Sequence, residues 1–91
     1  MVVWSVPAKN DLKNIYDYIA RDSRYYADRV TEDIVIESER LLRFPKLGRL
    51  VSEVEDVNIR ELIVYSFRLI YKVTSKRIEI LALVHVKRDF R

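Results

Sequence analysis

The stretch SFRLIYKVTSKRIEILALVH, residues 66–85, decides the fold. From Phe67 the apolar residues alternate: Phe67, Leu69, Tyr71 and Val73 point one way, and Ser66, Arg68, Ile70 and Lys72 point the other. Period two is the mark of a half-buried β-strand, because successive side chains leave opposite faces of the pleat. After the polar turn TSK at residues 74–76, Ile78, Ile80, Ala82, Val84 and Val86 share one face, and Glu79, Leu81, Leu83 and His85 share the other. Two antiparallel strands joined by a tight turn are therefore expected. If the wholly apolar faces lie on the core, Arg68 and His85 stand together on the outer face beside Ile70, Leu81 and Leu83. Apolar side chains next to fixed positive charge, with nothing of this chain to cover them, make a partner surface.

Working outward, IRELIVY at residues 59–65 supplies a third strand, and VSEVEDVN before it is acidic and aperiodic. Upstream the period changes to that of a helix. Ala8, Leu12, Ile15, Tyr16 and Ile19 fall on one helical face behind a start signal at Ser5 and Pro7. Asp22 and Ser23 supply cap chemistry for a second helix, whose buried face uses Ala27, Val30, Ile34, Ser38 and Leu41 and which stops by Pro45 and Gly48. A connection of a few residues favours an antiparallel helical hairpin. VVWSV at residues 2–6 begins the chain as a short strand, with Trp4 under the helices. The expected architecture is α+β in the order β-α-α-β-β-β: a helical hairpin packed on a small antiparallel sheet, one domain over residues 1–91.

Composition narrows the function. With no cysteine and one histidine, neither a disulfide framework nor a thiolate or histidine-rich metal site is available, and no metal or other cofactor is expected. No run of about 18 apolar residues spans a bilayer and no signal-peptide pattern opens the chain, so the expectation is a cytoplasmic protein without membrane contact. The net charge of +3 is uneven. From Arg68 onward basic residues dominate, and the first 67 residues are net acidic, which suits an acidic or nucleic-acid-containing partner for the C-terminal half. Tyr16, Tyr18, Tyr25 and Tyr26 read as packing around the hairpin rather than as base-stacking platforms. The acidic run Glu32, Asp33, Glu37 and Glu39 reads as the solvated face of the second helix.

The order W, DL, I, YI and DS in the helical half, then FPKLGRLVSE, then REL, SFRLIYKV and ILALVHVKRD, resembles the RelE/ParE superfamily of toxins from toxin–antitoxin modules. The resemblance covers nearly the whole chain. It implies the fold just derived and a cognate antitoxin, ParD-like or RelB-like, through which alone operator DNA would be contacted. Two activities occur in the superfamily. A RelE-like ribosome-dependent endoribonuclease would use the strand arginine Arg68, Arg88 and a proton carrier, for which His85 is the one candidate. Glu61 falls where that branch places a lysine, and the chain ends at Arg91 before its catalytic tyrosine. A ParE-like toxin would instead poison DNA gyrase, arrest growth and serve plasmid stabilisation without bond-making residues of its own. REL at residues 60–62 and LVHVKRD at residues 83–89 resemble that branch more closely.

The expected sites follow. Arg60, Arg68, Lys87, Arg88 and Arg91 are the candidates for target binding, with ribosome and gyrase as the alternative targets. Ile70, Leu81, Leu83 and Arg68 are the candidates for antitoxin binding, and Arg68, His85 and Arg88 for catalysis should the chain be a nuclease. Arg68 has a structural alternative as well, a cross-strand ion pair with Glu61 or Glu79. His85 has one as a hydrogen-bonding residue that holds the strand end. A degenerate module that retains only antitoxin binding is the remaining reading.

Overall fold

A computed structural model describes residues 1–87. Its elements are β1 (Val2–Trp4), α1 (Val6–Ala20), α2 (Arg24–Arg40), β2 (Arg49–Leu50), β3 (Ile59–Val64), β4 (Phe67–Val73) and β5 (Ile78–His85). The strands form one sheet in the order β1-β5-β4-β3-β2. Neighbours are antiparallel except β1, which runs parallel to β5 with Val2 opposite Ile78 and Trp4 opposite Ile80.

Both helices begin at serine caps. The Ser5 hydroxyl accepts from the Ala8 N–H at 3.1 Å and the Ser23 hydroxyl from the Tyr26 N–H at 3.0 Å, satisfying amides that have no partner within the helix. All five residues expected on the inner face of the second helix, Ala27, Val30, Ile34, Ser38 and Leu41, are buried. The helix itself ends at Arg40, ahead of Pro45, and turns carry the chain to Gly48. On α1, Ala8 is fully buried, and Leu12, Ile15 and Ile19 pack on the core formed by Val30, Ile34, Leu69, Tyr71, Ile78 and Ile80. Each large side chain sunk there contributes roughly 1.5–3 kcal/mol.

The sheet departs from strict alternation at one point. Ile70 pairs with Ala82 but Tyr71 pairs with Ile80, so Leu81 is an extra residue with no partner on β4. This β-bulge reverses the parity of the rest of β5. Leu83 consequently pairs with Leu69 and is only 6% exposed in the core beneath the helices, which corrects the expectation that it faces outward. His85 pairs with Phe67 and moves with Leu83 to the helical side, while Ala82 and Val84 turn to the outer face. Beyond Trp4 no strand among the described residues flanks β5 on that edge, and Ser5 and α1 take over its backbone groups. The Ser5 hydroxyl donates to the Leu81 carbonyl at 3.2 Å, and the Asp11 carboxylate accepts from the Leu83 N–H at 3.0 Å.

The outer face is also better covered than expected. Ile70 is fully buried although it lies outside the core under the helices, as does Val51, 2% exposed. The aperiodic segment between β2 and β3 folds across that face and carries Val51 and Glu53 with it. Gly48 sits where a Cβ would come within 2.4 Å of the Glu61 carbonyl oxygen, and its N–H donates to the Tyr71 hydroxyl at 2.9 Å. That hydroxyl in turn donates to the Pro45 carbonyl at 2.7 Å, pinning the turn after α2 to the sheet.

Candidate functional site

Arg68 projects from the middle strand onto the outer face, level with Ile63 on β3 and Val84 on β5. Its side chain is 8% exposed and its guanidinium is held by two carboxylates. Nε donates to Glu61 Oε1 at 2.5 Å, while Nη1 and Nη2 form a fork on Glu53 Oε2 and Oε1 at 2.9 and 2.8 Å. Glu61, 5% exposed, also accepts from Arg49 Nε at 2.8 Å. Arg49, Glu61, Arg68 and Glu53 thus form a chain of alternating charge, with its two inner members buried. The hydrogen bonds that Arg68 donates to Glu53 above all, and then the one it donates to Glu61, raise the Arg68 pKa above its ordinary value in spite of burial. Arg68 is a permanent cation and exchanges no proton.

Of the two sequence alternatives for Arg68, the ion pair with Glu61 is the one formed. Glu53 is the residue that sequence reasoning missed. It lies in a segment without period, where no strand register brings it to Arg68; the only trace was an acidic run with no basic partner of its own.

His85 does not meet Arg68. Phe67 pairs with His85 and Arg68 with Val84, so the two side chains leave opposite faces of the sheet. The imidazole stands edge-on to Phe67 with ring centres 5.9 Å apart, and its Nδ1 accepts from the Lys87 N–H at 3.2 Å. Such contacts are those of a residue that finishes a strand. Arg60 lies on the helical side opposite Tyr71, half-buried, and its Nη1 donates to the Gly48 carbonyl at 2.9 Å. Lys87 is exposed beyond β5. Arg88 and Arg91 lie outside the described residues.

The antitoxin candidates separate in the same way. Arg68 and Ile70 are covered by the segment bearing Glu53 and Val51, and Leu83 is in the core. Leu81, half-buried at the bulge, is the member of that set left at the surface. Among the described residues no three histidine, aspartate or glutamate side chains come together to hold a metal ion. Among the described residues, Arg68 and His85 are not brought together as an acid–base pair.

Residues 2–90 match the family described as the ParE toxin of the type II toxin–antitoxin system parDE. Among solved structures, the chain is similar to a chain of the chromosomal ParDE toxin–antitoxin system from P. aeruginosa, with 27% sequence identity and a TM-score of 0.76. That match covers 94% of this chain and 95% of the other. No curated protein matches.

Proposed function

Because the chain belongs to the ParE toxin family of type II toxin–antitoxin systems, we propose that it arrests growth by poisoning DNA gyrase and that a cognate antitoxin neutralises it. One observation carries this reading over the ribonuclease one: Arg68 and His85 leave opposite faces of the sheet. A nuclease must hold the scissile phosphate and move a proton at the same place. A poison that traps a cleaved DNA complex needs only a surface. In this reading the half-buried Arg60 and the exposed Lys87 contact the target, together with Arg88 and Arg91, and the cytoplasm is the place of action because the target works there. Arg68 acts by fixing the segment of Glu53 to the sheet.

Induced expression without the antitoxin tests the proposal. Covalent gyrase–DNA adducts should accumulate and the DNA-damage response rise while translation continues at first. Messenger RNA cut at codon boundaries within minutes would overturn it in favour of the nuclease, and unaffected growth would leave a module that only binds its antitoxin.

A further inference from the structure

A groove of about 590 Å³ opens where β3 begins and β4 ends, between that end of the sheet and the turn segment after α2. Phe44, Leu47 and Val57 line it while 52%, 41% and 72% exposed, and Pro45 and Val73 complete its apolar wall. Its two charged lining residues, Lys46 and Arg60, are both cations. Arg43 adds a third at the rim, its guanidinium 5.8 Å from the centre of the Phe44 ring. Arg60 is the telling member. It is half-buried and gives one N–H to the Gly48 carbonyl, and among the described residues no carboxylate pairs with it, whereas Arg68 on the neighbouring strand is flanked by two carboxylates. A guanidinium set in an apolar groove without a counter-ion favours an incoming anion with apolar neighbours. A nucleic-acid strand would present repeated phosphates and bases to stack. This lining offers a single aromatic ring among aliphatic side chains, so a peptide fits it better.

We infer that the groove receives a segment of the neutralising protein, one that sets a carboxylate on Arg60 and apolar side chains among Phe44, Leu47 and Val57. The inference rests on the reading that a partner neutralises this chain. The carboxylate fixes the register of the segment, and the apolar contacts supply most of the hold, since a half-exposed ion pair adds specificity more than affinity.

The test titrates the full chain with the purified protein encoded by the adjacent gene, by calorimetry at two salt concentrations. Arg60→Met keeps the side-chain stem and removes the charge; Val57→Glu, at a 72% exposed position, brings a like charge to the incoming carboxylate. Each should weaken binding at least tenfold, and Arg60→Met should also flatten the salt dependence, while Lys13→Glu on α1 leaves both unchanged. Should Arg60→Met fail to fold by circular dichroism, Lys46→Glu at its exposed position replaces it. Wild-type affinity in the groove variants would overturn the groove and leave neutralisation standing. No binding by the wild-type chain would remove the neutralisation reading, and the groove with it.

Discussion

Arg68, the cation that the sequence offers for several roles, is tied into an ion-pair chain. Its guanidinium is held by Glu61 and Glu53, so replacing it with alanine leaves Glu61 buried with only the exposed Arg49 to balance it. Breaking one side of a buried ion pair costs about 3–5 kcal/mol, and the remaining Arg49 contact places Arg68→Ala near the lower end. Urea denaturation should show that loss. Combining Arg68→Met with Glu61→Met removes both charges and fills their space, so most of the lost stability should return. If Arg68 only fixes the segment of Glu53, growth arrest should return in the double variant as well. A stable double variant that no longer arrests growth would show that the guanidinium itself touches the target.

At the scale of elements, the bulge at Leu81 decides which side chains β5 offers to which layer. Leu83→Asp puts a charge among Leu69, Tyr71 and Ile80 and should cost more than about 3 kcal/mol, enough to unfold much of the protein. Leu81→Asp, two residues away and half-exposed, should shift the melting midpoint far less. Equal effects in a thermal melt would mean that the parity does not reverse there. The helices were legible in the sequence because their buried faces are interrupted by charge at every turn, so Ala27, Val30, Ile34, Ser38 and Leu41 could be placed in advance. β5 was not. In ILALV both parities are apolar, and alternation cannot reveal a one-residue slip when neither face carries polar residues to mark it. The cover of the outer face was illegible for a different reason: Glu53 reaches Arg68 through a segment that has no period to read.

For the whole molecule, the joint between the helical layer and the sheet is as important as either layer. Tyr71 makes that joint through Pro45 and Gly48, and its burial raises the phenol pKa above its usual value of about 10. The fold therefore favours the neutral phenol. Its contribution is complete below the unfolded pKa, near pH 10, and is lost as the pH rises through the higher folded value. Unfolding midpoints measured from pH 8 to 11 should fall at the alkaline end, and Tyr71→Phe should remove that part of the decline. An identical slope in the variant would assign the decline to other groups.

The parallel pairing of β1 with β5 joins the earliest strand to the last one, and Ser5 grips Leu81 across 76 positions of sequence. During synthesis the helical hairpin can form as soon as it emerges, but the edge of the sheet must wait for nearly all the rest of the chain to be translated. A growing polypeptide on the ribosome thus passes most of its production time with that edge of the sheet unformed. The fold is complete only after the last strand described has closed on the first.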